Sequence, residues 1–269
     1  MTNTDVTYKN VIQNIIITGD RLTTRNHKAI SSTGVPQIIL REFPEVTLRP
    51  TAVKKAIREM EWFMNGDPTC PQELSDWWEG QLSPSGKYIN GYGTMLRRWN
   101  REYDQVEAVI EQIKTHPNSR RMITTTWEPY KMSIITETNQ NPACPTTCHG
   151  TVTQYFVRNG KLNLTTYQRS ADVLLGVPHN WVQYWAYMVW LAYRTNLKPG
   201  SIRWIFGDAH IYDEKSHLQV AGIITQANGP IEPGRKLIYE PTSKNFIASD
   251  FKLVGERPKP VTRIRPKLL

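Results

Sequence analysis

Cysteine is scarce in this chain. Three are present, Cys70, Cys144 and Cys148, an odd number with no metal-ligand spacing. That argues against a disulfide framework or a thiolate metal centre and favours a reducing compartment. Long apolar runs are missing too. No stretch approaches the ~20 apolar residues of a membrane span; the longest candidate, residues 184–193, is too short and full of aromatics. Residues 1–10 are polar and lack the apolar core of a secretion signal, so the cytoplasm is the expected location. No repeat, low-complexity block or Gly/Ser linker divides the 269 residues. One domain over 1–269 is therefore expected, long enough to bury roughly three quarters of its unfolded surface without staples. The content that remains, 39% hydrophobic and 21% charged, is that of a soluble globular protein.

Charge is unbalanced. There are 33 Lys and Arg against 24 Asp and Glu, a net of +9. Six of the basic residues and one acid (Glu256) fall in the tail 251–269. A basic balance suits nucleic acid, a membrane surface or small phosphorylated substrates. Pro258, Pro260 and Pro266 speak against a basic helix in that tail, and a solvated extended tail is the plain alternative.

Periodicity places several elements. Val53, Ile57, Met60 and Met64 recur at helical spacing and predict a core-facing helix over 51–64. Val106, Val109, Ile110 and Ile113 predict a second, stopped before Pro117. Residues 151–157 are β-branched and aromatic, then come Arg158-Asn159-Gly160-Lys161 and a like run over 162–167. Asn-Gly between two such runs predicts a hairpin, because both residues tolerate the positive φ of the tight turn. Residues 181–195 are apolar on most faces and long enough for a buried helix. Residues 201–206 read as a strand ending in Gly207-Asp208. Helices and strands interspersed, with an antiparallel pair, predict an α/β or α+β fold with a large mixed sheet flanked by helices.

Several groups carry chemical potential. Cys148 is followed by His149, and a neighbouring cation lowers a thiol's pKa and makes a nucleophile; the bland alternative is an inert half-buried thiol. Tyr167-Gln168-Arg169-Ser170-Ala171-Asp172 sets a guanidinium, a hydroxyl and a carboxylate at a strand's end. Arginine grips phosphate bidentately, though a surface Arg–Asp pair would look the same and matter little. Ser119-Arg120-Arg121 is a second basic cluster. In Asp208-Ala209-His210-Ile211-Tyr212, an extended segment points His210 and Tyr212 the same way, fit to grip a sugar hydroxyl; a satisfied core histidine is the alternative. Glu59 and Glu61 both lie near the apolar stripe of their helix, and spacing does not choose between them.

Taken in order, Cys148-His149, Gln154-Tyr155-Phe156, the hairpin, the 167–172 segment, Leu175-Gly176-Val177-Pro178, Asn180 and Gly207-Asp208-Ala209-His210-Ile211-Tyr212 resemble the thymidylate synthase superfamily. That superfamily comprises the synthases and the related pyrimidine nucleotide hydroxymethylases. The resemblance covers nearly the whole chain. Gly19-Asp20-Arg21 resembles the family's mobile phosphate-binding loop, and Ser119-Arg120-Arg121 the arginine pair lent to the neighbouring subunit. Glu59, Trp62 and Phe63 before Gly66-Asp67 resemble its catalytic-glutamate helix, which selects Glu59 over Glu61.

The resemblance implies transfer of one carbon from 5,10-methylenetetrahydrofolate, as cosubstrate and with no metal, to C5 of dUMP. It implies Cys148 as nucleophile toward C6 and Glu59 as proton manager. Arg21 and Arg169, with Arg120 and Arg121 of a homodimer partner, would bind the 5′-phosphate together with Ser170. His210 and Tyr212 would take the 3′-hydroxyl; Gln168 and Tyr92 join the substrate set. Asp172, Trp78, Gly176 and His179 line the folate site. Asn180 matches O4 and N3–H of uracil, since its amide offers a donor and an acceptor; it could equally cap the helix starting near Trp181. Direct nucleic-acid or membrane binding is not expected.

This sequence departs from the family pattern at four places. Gln81 stands where a second tryptophan is usual, and His179 where a phenylalanine lines the pterin pocket. One extra residue separates Cys148 from Gln154, which keeps Cys144 open as nucleophile. The chain ends Pro266-Lys267-Leu268-Leu269, not in the small apolar residues that close a synthase. A pocket with two polar residues for aromatic walls admits water more readily. That favours 5-hydroxymethyl-dUMP as product, of the kind phages use in modified DNA, over dTMP.

Overall fold

The computed structural model describes residues 1–24, 27–88, 91–129, 147–256, 259–264 and 266. A capping box starts the first helix, α1 (Asn3–Thr18): the Asp5 N–H donates to Thr2 Oγ1 at 3.1 Å and the Thr2 N–H to Asp5 Oδ2 at 2.8 Å. Tyr8, Val11, Ile12 and Ile15 make its buried stripe. Residues 1–10 are polar in sequence because most of the buried stripe, Val11, Ile12 and Ile15, lies beyond them. Gly19 then turns the chain. A Cβ there would meet the Ile15 carbonyl oxygen at 2.5 Å, so only glycine fits. The segment resembling a mobile phosphate loop leads directly into a strand, β1 (Asp20–Thr23).

β1 pairs antiparallel with β2 (Lys28–Ser32). β3 (Ile38–Leu40) follows, then α2 (Val53–Asn65), ended by Gly66 at φ 67°. A 3₁₀ turn (Gln72–Trp77), α3 (Tyr92–Arg97) and α4 (Gln105–Thr115) lead to β4 (Ile123–Thr125). Helix α2 matches its predicted span within two residues, and α4 carries Val106 to Ile113 and stops before Pro117 as predicted. The predicted hairpin is β5 (Val152–Arg158) and β6 (Lys161–Asp172). Asn159 and Gly160 sit at φ 51° and 70°, the two positive angles that such a turn demands.

Helix α5 (Val177–Arg194) begins four residues earlier than the apolar run suggested. Pro178 lies in its first turn with φ already helical, so Gly176 is the cap and Asn180 lies inside. The capping alternative for Asn180 is thereby corrected. β7 (Lys198–Tyr212) likewise runs through Gly207-Asp208 rather than ending there. β6 pairs with it in parallel as far as Asp172↔His210, and β2 pairs along its other edge. Gly207 lets strands approach closely, since a Cβ would lie 2.7 Å from the Arg169 carbonyl oxygen. α6 (Lys215–Gln226) follows.

The seven strands lie in the order β1-β2-β7-β6-β5-β4, with β3 beside β7. Among the described strands, only the β6–β7 pair is parallel, and α5 is its crossover. The mixed sheet flanked by helices is the fold class expected. α5 lies on β6 and β7 and against α2, burying Trp181, Trp190 and Trp204.

The tail is not a free extended segment from 251. β9 (Phe251–Val254) pairs with β8 (Lys236–Tyr239), and Phe251 stacks on Tyr239 at 4.6 Å. Farther on, the N–H groups of Val261 and Thr262 donate to the Leu48 carbonyl. Aromatic burial and backbone pairing outweigh the tail's charge here. Among the described residues, no helix is long and apolar enough to cross a membrane.

Candidate active site

The ends of α2, α3, β6 and α5 converge around Cys148, in the chain leading into β5. The Cys148 N–H donates to Tyr92 Oη at 2.8 Å, and its Sγ lies 3.4 Å from that oxygen. The Ser170 N–H reaches the Cys148 carbonyl at 3.4 Å. Arg169 donates to the Thr147 carbonyl at 3.3–3.4 Å and lies over the Trp127 ring. Cys148, Tyr92, Arg169 and Ser170, distant in sequence, are thus brought together. Cys144 lies outside the described residues.

His149 does not supply the cation the sequence suggested. Burial holds its pKa down to about 3, so the ring is neutral; it stacks on Tyr92 at 4.2 Å and 12°. Burial also pushes the Cys148 thiol up, while the Tyr92 hydroxyl and the Arg169 charge pull it down. The thiolate is the reactive form, so whatever raises the thiol pKa moves reactivity to higher pH. In Arg169→Ala, the pH profile for iodoacetamide alkylation of Cys148, followed by peptide mass spectrometry, therefore shifts alkaline. An unmoved profile would mean the guanidinium does not act on the sulfur.

Glu59, on α2, is 7% exposed. Its carboxylate accepts the Trp78 indole N–H at 2.5 Å and a Gln183 amide N–H. Burial nonetheless lifts its pKa to about 7, where it can both give and take a proton. Glu61 instead pairs with Arg58 at 2.8 Å. Trp78 is buried among Trp62, Phe63, Tyr88 and Tyr92. Its neighbour Trp77, which sequence reasoning passed over, packs on His179 at 4.8 Å.

At the start of α5, Asn180 is buried between two glutamines. Gln168 Nε2 donates to its Oδ1 at 3.2 Å, and its Nδ2 donates to Gln183 Oε1 at 3.1 Å. Gly176 lies close by; a Cβ there would stand 3.4 Å from Asn180 Oδ1. Asp172 Oδ1 accepts the N–H groups of Leu174 and Leu175. His179 donates from Nδ1 to the Leu175 carbonyl at 2.8 Å and accepts the Ala52 N–H at Nε2. Burial lowers its pKa to about 4. His210 and Tyr212 sit two apart on β7, ring centroids 5.1 Å apart. Asp208 holds His210 at Nδ1, 2.9 Å away.

Arg21 is not gathered here, and Arg120 and Arg121, expected from a partner subunit, lie apart from this chain's own site. Arg21 is largely exposed and pairs with Asp213 at 2.7 Å. Arg120 and Arg121 are exposed at the start of β4, at the end of that strand away from Cys148. Two further residues escaped the sequence reading. Gln183 is a lone amide in the apolar run of α5, a signal that was legible. Arg49 is 6% exposed, and its Nε and Nη1 find no partner among the described residues; its charge bears on His179. Nothing in its local sequence marks it.

A thiol under the charge of a guanidinium, a buried carboxyl titrating near neutrality and a buried amide held between two glutamines lie in this part of the fold. The family model for thymidylate synthase matches residues 6–266. The chain belongs to the thymidylate synthase family. Its chemistry is therefore folate-dependent one-carbon transfer to dUMP, with methylenetetrahydrofolate as cosubstrate. Members of this family are typically dimeric.

Proposed function

We propose that this thymidylate synthase family member makes 5-hydroxymethyl-dUMP. C5 of uracil is a poor nucleophile. Addition of the Cys148 thiolate to C6 moves an electron pair onto C5, which attacks the methylene carbon of the folate iminium. Loss of the C5 proton and cleavage of the bond to folate nitrogen leave an exocyclic methylene on C5 and free tetrahydrofolate. Water adds to that methylene, and expulsion of Cys148 restores the C5–C6 double bond. Glu59 exchanges the protons at the base and the folate. Arg169 and Ser170 hold the 5′-phosphate, and Arg21 joins them only by exchanging Asp213 for the phosphate; His210 and Tyr212 hold the 3′-hydroxyl. Asn180 and Gln168 read the base beside Tyr92. Asp172, Gly176, His179 and Trp78 frame the folate.

The observation that carries the hydroxymethyl outcome is Gln81. It is exposed, and its N–H closes the turn onto the Trp78 carbonyl at 3.0 Å. By its match to the family pattern this exposed amide stands in place of an aromatic wall of the folate pocket, which would let water reach the methylene. A second reading, dTMP formation, is favoured by His179. Its ring is neutral with both nitrogens committed to backbone, which offers water no free polar edge. Incubation with dUMP and methylenetetrahydrofolate separates the two. Hydroxymethylation returns tetrahydrofolate and a nucleotide one oxygen heavier than dTMP; stoichiometric dihydrofolate overturns it.

The same reading makes the protein a homodimer. Ile123, Val152 and Tyr167 are 47%, 42% and 39% exposed. Their register puts them on one face of the sheet, the face a second copy would cover. Arg120 and Arg121 at its rim then enter the partner's phosphate site.

A further inference from the structure

Gln183 has no part in the chemistry above, yet it completes an unbroken hydrogen-bonded line. Trp204 Nε1 donates to Gln168 Oε1 at 3.0 Å. Gln168 Nε2 donates to Asn180 Oδ1, and Asn180 Nδ2 to Gln183 Oε1. Gln183 Nε2 donates to Glu59 Oε2, and Trp78 donates to the other oxygen of that carboxylate. The Trp204 end has a fixed direction, because an indole N–H only donates, and the ionised form of Glu59 accepts at the other. A half-turn of any amide between them sets donor against donor or acceptor against acceptor. Three amides therefore share one permitted orientation. Gln183 is fully buried and is the link between Asn180 and Glu59.

We propose that Gln183 is a positioning residue that couples recognition of the pyrimidine edge at Asn180 to the carboxyl of Glu59. The inference rests on the dUMP reading of Asn180. Uracil presents N3–H and O4, and cytosine presents N3 and an N4 amine. The two patterns are donor–acceptor opposites, so an unrestrained asparagine serves either by a half-turn. In this chain the half-turn would leave buried polar groups facing like partners. The same Gln183 N–H favours the ionised form of Glu59 against burial. Base identity and the proton on Glu59 thus share one residue.

Two variants of the full chain separate these effects. In Gln183→Met, a side chain of similar length carries neither N–H nor C=O. The dUMP-over-dCMP ratio of kcat/KM falls about tenfold or more, and the pH limb belonging to Glu59 moves to higher pH. In Gln183→Glu, one oxygen still accepts from Asn180 and the other shares a proton with Glu59. The ratio holds, while the limb again moves up because two carboxyls lie side by side. Near-ultraviolet circular dichroism checks each fold. If the Met variant does not fold, a Glu variant with kept ratio and moved limb supports the coupling, and one with an unmoved limb overturns it. If the native protein turns over dUMP and both variants keep its ratio and limb, the coupling alone is overturned. A native protein that binds and turns over no dUMP overturns the functional reading and the coupling with it.

Discussion

Cys148→Ala is expected to lower turnover of dUMP by on the order of 10⁴-fold or more, about 5 kcal/mol of transition-state stabilisation. Without sulfur addition at C6, C5 has no electron pair to give, and no other described side chain replaces it. Tritium release from dUMP labelled at C5 reads this step before the pathways to methyl and hydroxymethyl products diverge. The fold should survive. The residue 148 N–H still donates to Tyr92 Oη, so the local chain stays pinned, and unfolding free energy changes by less than about 2 kcal/mol. Release at the native rate would transfer the nucleophile to Cys144. The variant also tests the dimer. Neither Cys148→Ala nor Arg121→Ala chains alone form an intact site, but a mixed dimer holds one. Exchange of subunits should restore up to about a quarter of native activity, and no restoration would sink arginine sharing.

Asn180→Asp is the second large effect. The new carboxyl is buried, which favours its protonated form. The line of amides decides where the proton sits. Gln183 Oε1 has lost the N–H that Asn180 supplied, so the acid proton goes there. An amide nitrogen has two hydrogens, one for Gln183 and one for uracil O4; a carboxyl hydroxyl has one. Uracil O4 then faces lone pairs, while the cytosine amine finds one acceptor and cytosine N3, protonated as sulfur adds at C6, finds the other. We expect kcat/KM for dUMP to fall by roughly 10²-fold or more, with preference passing to dCMP. Competition assays with the two nucleotides check it. Undiminished preference for dUMP would show that Asn180 does not read the base.

Much of the fold was legible because its cues are local. Asn159-Gly160 announces its turn through residues that accept positive φ, and Val106 to Ile113 repeat at helical spacing over a few turns. Cues failed where burial elsewhere overrode them. Gly207 reads as a strand end, yet β2 and β6 pair on both sides of β7 and carry the strand through it. The tail reads as solvated, yet Phe251 finds Tyr239. Residues 1–10 read as featureless because the helix they start buries its stripe against partners far along the chain.

The candidate site divides in the same way. Motif order and residue type alone pointed to the family, the thiol, the carboxyl and the amide, since these depend on which residues follow which. Their chemical states came only with the folded chain. His149, adjacent to Cys148, is neutral because it is buried; the charge near the sulfur comes from Arg169, 21 positions away by residue number. Asn180 has one orientation because Trp204 and Glu59 anchor a line of amides, and the Gln183–Glu59 link spans 124 residues. Proton affinity and amide direction are set by solvent exclusion and by partners distant in the chain, and linear order encodes neither.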